Sequence, residues 1–154
     1  MSDITLRSLY PEDIQQVCKI ENSLTGSSRR VFLEKRLAVA TAMPAGFITC
    51  AALDGEVLAG YGFARILEGE FGAKSASAIL DTIGVDPGYQ GKGIGKFMLE
   101  NVKPFVAAWP AQAIRLDAYD HAAGAGEFYF KCGFTEKGRI VYRNTPLIYF
   151  ELLV

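Results

Sequence analysis

The chain has 154 residues, of which 50% are hydrophobic and 21% are charged. This balance excludes a disordered chain and is sufficient for one real core, so we expect a single domain over residues 1–154. The net charge of −1 gives no global attraction to nucleic acid or to an anionic membrane, and we expect neither as a partner.

Three cysteines, Cys18, Cys50 and Cys132, are far apart and form no CxxC pair. Together with a single histidine, His121, they offer neither a disulfide framework nor a set of metal ligands. We therefore expect no metal site and a reducing, cytoplasmic location. The N-terminal residues contain no apolar signal core. The longest uncharged run, Leu37–Leu53, is interrupted by proline and glycine, so no membrane span is predicted.

The first half of the chain predicts a strand, two helices and a hairpin. Pro11 can open the first helix, with acidic residues in its first turn. The sequence TGSS at Thr25–Ser28 ends that helix and can cap a second one. Asp54-Gly55 is a strong hairpin signal between two apolar runs. The predicted segments are a strand at Ile4–Ser8, helices on either side of Thr25–Ser28, the second ending near Ala42, and strands at Phe47–Leu53 and Val57–Ile66.

The second half alternates strands and helices. Ala78–Asp86 is apolar at nearly every position, which favours a central strand buried on both faces, and the polar segment Glu68–Ser77 is predicted as the loop before it. A helix with Pro104 inside it follows, with an apolar stripe of Ile94, Phe97, Met98, Val102, Phe105, Val106 and Trp109. The last segments are a strand at Ile114–Tyr119, a helix at Ala122–Lys131 closed by Gly133, and strands at Thr135–Tyr142 and Pro146–Val154. The order β-α-α-β-β-β-α-β-α-β-β predicts one mixed α/β (α+β) domain.

The segment Asp86–Gly95, DPGYQGKGIG, joins the central strand to this helix. Strand, glycine-rich loop and helix together present backbone N–H groups at a helix N-terminus, where a phosphate group can bind. A dinucleotide-binding GxGxxG starting at Gly91 would need glycine where Lys96 stands. A P-loop would need glycine at Gln90 and serine or threonine at Phe97. Both nucleotide-binding loops are therefore disfavoured, and a structural glycine turn is the remaining alternative.

Gln90-Gly91-Lys92-Gly93-Ile94-Gly95 matches Q/R-x-x-G-x-G/A and resembles the coenzyme A pyrophosphate loop of the GNAT family of N-acetyltransferases. A second match, to A-x-x-x-Y-x-x-x-G-F, is formed by Ala125, Tyr129, Gly133 and Phe134. The order of elements is also similar to that of the family. The resemblance implies a mostly antiparallel mixed sheet of about seven strands flanked by about four helices. It also implies transfer of an acetyl group from acetyl-CoA to a primary amine of a small molecule or protein by direct attack.

By this resemblance, the cofactor is held by the glycine loop and by the strand before it. Backbone groups of that strand would bind the pantetheine arm and the developing oxyanion, while the glycines and lysines of the loop favour the pyrophosphate. The family often has an asparagine where Ala122 stands, and Asp120 could partly replace it. The predicted cofactor-binding residues are Ile83, Gly84, Val85, Gln90, Gly91, Lys92, Gly93, Ile94, Gly95, Lys96 and Asp120.

Tyr129 aligns with the tyrosine of the family and is the predicted general acid toward the departing thiolate. The general base has three candidates of equal standing. Asp81 lies in the apolar central strand, Asp117 lies where some family members carry a glutamate, and Glu21 lies on the apolar stripe of the first helix. A structural ion pair, such as one between Arg115 and Asp117, or an ordered water relay are the alternatives.

The acceptor and the oligomeric state stay open. Arg29 and Arg30 could recognise an acidic substrate or form a solvated helix start. The last strand, Pro146–Val154, could pair across a homodimer or lie in the interior. Two further functions are compatible with the same motifs: an acyl-CoA-binding sensor without turnover, and a transferase that uses another acyl-CoA.

Overall fold

The computed structural model describes residues 3–68, 74–109, 111–119 and 125–154. Within these ranges the elements follow the predicted order β-α-α-β-β-β-α-β-α-β-β. The strands are β1 Ile4–Arg7, β2 Phe47–Asp54, β3 Val57–Glu68, β4 Lys74–Val85, β5 Ala113–Tyr119, β6 Thr135–Tyr142 and β7 Thr145–Leu153. The helices are α1 Ile14–Thr25, α2 Arg30–Ala42, α3 Ile94–Ala108 and α4 Ala125–Lys131.

The strands pair in the order β1-β2-β3-β4-β5-β7-β6. The β1–β2, β2–β3, β5–β7 and β6–β7 pairs are antiparallel, whereas β4 and β5 run parallel, with Ser77–Ile79 opposite Ala113–Arg115. The crossover between these parallel strands contains α3, as a parallel connection requires. The prediction of a mixed α/β fold with a mostly antiparallel sheet is confirmed.

The chain divides into two compact units. The first contains Met1–Arg65 and Asp81–Val102. Its core forms where the apolar faces of α1 and α2 pack on β2 and β3, because both helices repeat apolar residues at helical spacing. The buried residues of this core are Leu9, Ile14, Val17, Cys18, Ile20, Leu33, Leu37, Ala51, Leu53, Leu58, Tyr61 and Phe63.

The second unit contains Ile66–Leu80 and Lys103–Val154. Its buried apolar residues come from the end of α3, from β5 and β7, and from the segment after α4; among them are Val106, Ile114, Leu116, Phe134, Ile148, Phe150 and Leu152. The strand β6 differs from its neighbours, because every residue of it except Gly138 is exposed. The expectation of a single domain over residues 1–154 stays a prediction.

Two predicted segments require correction. Residues Lys74–Ser77 belong to β4, not to a loop, because Ser77 pairs with Ala113 and this backbone pairing outweighs a polar composition. The apolar stripe of α3 was also partly wrong: Phe97 and Phe105 are 40% and 55% exposed, while Leu99 is buried. The helix turns Leu99 inward beside Met98, and no partner covers the opposite face in the described part of the chain.

No helix in the described ranges is long and apolar enough to cross a membrane. The three cysteines are buried thiols, and none of them is part of a disulfide. The described residues also contain no group of three or more side chains placed to hold a metal ion.

Candidate active site

The loop after β4 begins with a fixed turn. Pro87–Tyr89 form one turn of 3-10 helix, and the Asp86 carboxylate accepts a hydrogen bond from the Gly88 N–H at 2.8 Å. The Asp86 N–H donates to the Ala59 carbonyl at 2.8 Å, which anchors the turn to β3. The chain therefore leaves β4 in one defined direction.

Two side chains hold the middle of the loop. The Gln90 Nε2 donates to the Val85 carbonyl at 3.2 Å, so this amide ties the loop back to the strand end. The Tyr89 hydroxyl donates to Asp54 at 2.6 Å, and the Lys92 ammonium lies 5.2 Å from the centre of the Tyr89 ring. These contacts position the loop backbone and leave the Lys92 side chain exposed.

Gly91 and Gly93 have φ angles of +80° and +78°, in the left-handed region that side chains disfavour. A Cβ atom at either position would meet no described atom within 4 Å. Glycine is therefore required here by the backbone conformation, not by crowding, and open space lies beside both residues.

The N-terminus of α3 is electropositive. The first intrahelical bond runs from the Phe97 N–H to the Gly93 carbonyl at 3.0 Å, so the N–H groups of Ile94, Gly95 and Lys96 have no partner within the helix. The first turn contains no acidic residue, and the exposed Lys92 and Lys96 add two positive charges. Free N–H groups, the helix dipole and two lysines together suit a pyrophosphate.

The strand end before the loop is tightly packed. A Cβ atom on Gly84 would lie 2.7 Å from the ring of Tyr61, so a larger residue could not occupy this position without moving that ring. Val85 is buried and Ile83 is half-buried. Thus the side chains of this segment serve packing, and only its backbone groups are suited to ligand binding.

Glu21 is buried on α1, as its place on the apolar stripe predicted, and both of its oxygens are engaged by Arg29. Oε1 accepts the Arg29 backbone N–H at 2.6 Å, while Oε2 accepts Nε at 3.0 Å and Nη2 at 2.6 Å. The same Nη2 donates to the Thr82 hydroxyl at 3.2 Å. This bonding raises the pKa of Arg29 above its ordinary value and ties the α1–α2 connection to β4.

Asp81 lies between two further arginines. Its Oδ1 accepts a hydrogen bond from Arg65 Nε at 3.1 Å, and its Oδ2 lies 3.4 Å from Arg36 Nε. Both Oδ2 and this Nε are buried, and neither has a hydrogen-bond partner among the described residues. The side chains of Arg36 and Arg65 are 27% and 32% exposed, against 9% for Asp81.

An aromatic ring completes this group. The guanidinium carbons of Arg29 and Arg36 lie 4.9 Å and 5.2 Å from the centre of the Phe32 ring. We call the six residues Glu21, Arg29, Phe32, Arg36, Arg65 and Asp81 the arginine cluster. It contains three guanidinium groups and two carboxylates, and it lies beside the strand that leads into the glycine loop.

Tyr129 lies on α4 in the second unit and packs among aromatic rings. Its ring centre is 5.4 Å from Phe128, 5.7 Å from Phe134 and 5.4 Å from Phe150. Burial, together with the smaller effects of the nearby Cys132 and Asp117, raises the pKa of Tyr129 to about 12. Of the three consecutive aromatic residues at 128–130, Phe130 faces outward with 73% exposure.

Asp117 is exposed on β5, opposite Tyr149 of β7. Arg115 does not bond to it, contrary to one alternative above, because Arg115 Nε donates to Glu151 at 2.9 Å across the sheet. Asp120 and His121 lie outside the described residues, as does Ala122.

Residues 12–134 match the Acetyltransferase (GNAT) family. The chain belongs to this family. Its GNAT relatives cover almost its whole length. It is 27% identical over 145 residues to an aminoglycoside N(6')-acetyltransferase type 1 from Stenotrophomonas maltophilia, spanning 93% of this chain and 94% of that protein.

Two solved structures show the same GNAT fold. A GNAT-family protein from Desulfovibrio desulfuricans aligns with a TM-score of 0.82 at 18% identity, covering 97% of this chain and 98% of that one. PaiA N-acetyltransferase from Thermoplasma acidophilum, solved with coenzyme A, aligns with a TM-score of 0.78 at 17% identity over 100% of both chains. The predictions of the family and of an acetyl-CoA-dependent N-acetyltransferase are confirmed.

Sequence reasoning missed three members of the arginine cluster of this GNAT protein: Phe32, Arg36 and Arg65. One signal was available, because Arg36 falls on the same helical face as the buried Leu33 and Leu37. A charge on an apolar face needs a partner, but the sequence does not show that the partner is Asp81.

Proposed function

We propose that this GNAT enzyme transfers the acetyl group of acetyl-CoA to a primary amine of a small molecule. The observation that carries the proposal is the glycine loop before α3, in which Gly91 and Gly93 have positive φ angles. The first turn of α3 presents N–H groups that have no partner within the helix, and Lys92 and Lys96 add positive charge beside them. The curated relative is named for acetylation of a small-molecule amine, which favours a small acceptor over a protein.

The loop Gln90–Lys96 is the proposed pyrophosphate site. Its glycines let the phosphate oxygens approach the backbone, and the positive helix terminus favours their charge. The backbone of Ile83–Val85 is the proposed site for the pantetheine arm. A backbone N–H of this segment would stabilise the negative charge that develops on the thioester oxygen during attack.

Tyr129 is the proposed donor to the departing sulfur. With a pKa of about 12 its phenol stays protonated at neutral pH and can donate a hydrogen bond. Full proton transfer from a phenol of this pKa to the thiolate would be uphill, because a thiol is the stronger acid. We therefore assign to Tyr129 stabilisation of the thiolate by a hydrogen bond, while the proton lost by the attacking amine neutralises the sulfur.

We propose an ordered water relay as the base, in preference to Glu21 or Asp81. Both oxygens of Glu21 accept hydrogen bonds from Arg29, and Asp81 lies between the guanidiniums of Arg65 and Arg36, so both carboxylates serve as counter-ions of arginines. Asp117, which is exposed, is the remaining carboxylate candidate.

Calorimetric binding of acetyl-CoA and release of free coenzyme A over a panel of amines test the proposal. The double variant Lys92→Gln with Lys96→Gln should weaken acetyl-CoA binding about tenfold, since two charge-assisted contacts are lost. Lys35→Gln, on the exposed face of α2, is the matched control and should leave affinity unchanged. Tight binding without release for any amine, peptides included, would replace the transferase with an acyl-CoA sensor. Faster release of coenzyme A from a longer acyl-CoA than from acetyl-CoA would identify the longer acyl-CoA as the donor.

We also propose a cytoplasmic location, supported by three buried thiols, and a homodimer. The exposed apolar residues Ile140, Val141 and Tyr142 on β6 support association through the β6–β7 hairpin of the second unit. Light scattering after size-exclusion chromatography tests the dimer, with Val141→Lys expected to give a monomer.

A further inference from the structure

We propose that the acceptor amine carries a carboxylate of its own, bound by Arg36 and Arg65. This inference rests on the proposed function. It narrows the class of acceptors to amino acids and to other amines of similar size that carry a carboxylate.

The charges of the arginine cluster do not balance. Arg29 is matched by Glu21 through three hydrogen bonds, whereas Arg36 and Arg65 share one carboxylate among the described residues, that of Asp81. Among the described residues of the cluster one positive charge therefore remains, beside Arg36 and Arg65, whose side chains are 27% and 32% exposed. Such a charge is costly in a medium of low dielectric unless an anion accompanies it.

Arg36 is near Asp81 without being bonded to it. Its Nε and the Asp81 Oδ2 are 3.4 Å apart, both buried, and neither has a hydrogen-bond partner within the described ranges. Buried polar atoms are nearly always hydrogen-bonded in proteins, so an ion pair at 3.4 Å without a hydrogen bond leaves the Arg36 guanidinium able to take a better partner. The guanidinium of Arg36 is attracted by charge alone and can reorient to meet a ligand carboxylate in the bidentate manner typical of arginine.

Phe32 prepares this arginine for binding. The Arg36 guanidinium lies over the Phe32 ring at 5.2 Å, which restricts the planar group while leaving 27% of the side chain exposed. A guanidinium held in advance loses less conformational entropy when it binds.

The position on β4 sets the size of the ligand. Asp81 precedes Ile83 by two residues, and a strand rises about 3.3 Å per residue, so the two lie about 7 Å apart along the strand. An amine that reaches the proposed thioester site can therefore place a carboxylate at the arginines only if a few bonds separate the two groups. An aminoglycoside has several ammonium groups and no carboxylate, and the cluster would repel it.

Matched acceptors test the inference. Release of coenzyme A is measured with lysine against cadaverine, ornithine against putrescine, phenylalanine against phenethylamine and phenylalanine amide, and with one aminoglycoside. We expect kcat/KM for the carboxylate-bearing member of the preferred pair to be at least about tenfold higher, because charged hydrogen bonds to two arginines are lost in its analogue.

Variants separate recognition from folding. Arg36→Gln should bring this ratio close to one while leaving the KM for acetyl-CoA unchanged, and Arg36→Lys should restore part of it. Arg30→Gln removes an exposed charge from the same helix, whose ion-pair partner among the described residues is Glu34, and should change nothing. Thermal unfolding of each variant confirms that it is folded.

The outcomes are distinct. Equal or faster turnover of the amines without a carboxylate, or an unchanged ratio in a folded Arg36→Gln enzyme, would overturn the inference and leave the transferase intact. No release with any acceptor would overturn the proposed function itself, and the inference with it.

Discussion

The glycine loop and the arginine cluster belong to the same unit but are built in opposite ways. The loop is a contiguous segment, Gln90–Lys96, whose proposed binding groups are backbone N–H donors beside Gly91 and Gly93, both of positive φ. The cluster draws side chains from position 21 to position 81, on α1, α2, β3 and β4. The loop is thus specified by local conformation, and the cluster by tertiary packing.

This difference separates donor from acceptor recognition. A pyrophosphate can be bound by backbone amides at a helix terminus, which any chain of suitable local sequence can present. An acceptor is distinguished by its own charges, which side chains must match in space. A GNAT protein can therefore keep its donor loop while its acceptor site changes by substitution at scattered positions.

Substitution of Gly93 should have the largest effect and tests the backbone half of this comparison. At φ +78° valine is strained, so Gly93→Val should lower the free energy of unfolding by about 1–2 kcal/mol. It should also weaken acetyl-CoA binding about 100-fold, because two or more charged hydrogen bonds are displaced. Calorimetry and urea unfolding measure the two effects. Gly55→Val, at a hairpin with φ +64°, should show similar strain without loss of affinity. Equal affinities in both variants would contradict the assignment of the loop.

Tyr129→Phe should reduce kcat at least about tenfold, since a donor to the leaving sulfur is removed, and should leave acetyl-CoA affinity nearly intact. Because burial raises the pKa of Tyr129 to about 12, the wild-type rate should show no inflection from this group below pH 10. Tyr142→Phe on the exposed strand β6 is the control. A rate equal to that of wild type would remove Tyr129 from the mechanism.

Asp81→Asn tests the other half of this comparison, the arginine cluster, which is built from side chains. It leaves Arg36 and Arg65 without their carboxylate, and we expect the free energy of unfolding to fall by about 1–3 kcal/mol. Since the proposed base is a water relay and not Asp81, kcat with a saturating amine should change less than about threefold. Glu34→Gln, which removes an exposed carboxylate from α2, is the control. A loss of kcat without a loss of stability would make Asp81 the base.

The smallest effect is the contribution of a single buried tyrosine to the pH dependence of the free energy of unfolding. Burial raises the pKa of Tyr61 to about 12 and that of Cys50 to about 11, as it does for Tyr129. Each folded-state pKa exceeds its unfolded value, so this stabilisation is complete below about pH 9 and is lost as the pH rises toward 12. Urea unfolding at pH 10.5 should give a loss of about 1 kcal/mol for each tyrosine and about 2 kcal/mol for Cys50 relative to pH 7. Tyr61→Phe should show a smaller loss than wild type.

The order of elements and the position of the glycine loop could be predicted because they depend on neighbouring residues. Helical apolar spacing, the Gly55 hairpin and the glycines of the loop each act within a few positions. Lys74–Ser77 and Phe97 were mispredicted because strand pairing and helix rotation depend on partners that are remote in the chain.

Thus the sequence by itself determined that this chain is a GNAT acetyltransferase, and it located the glycine loop that we propose binds the pyrophosphate. Local backbone conformation at Gly91 and Gly93 is encoded in the residues themselves. Only the tertiary structure decided that Glu21 is matched by Arg29, that Asp81 is shared by two arginines, and that Tyr129 is buried among phenylalanines. Ion pairing and burial are set by which side chains packing brings within a few ångströms, and local sequence does not specify those distances.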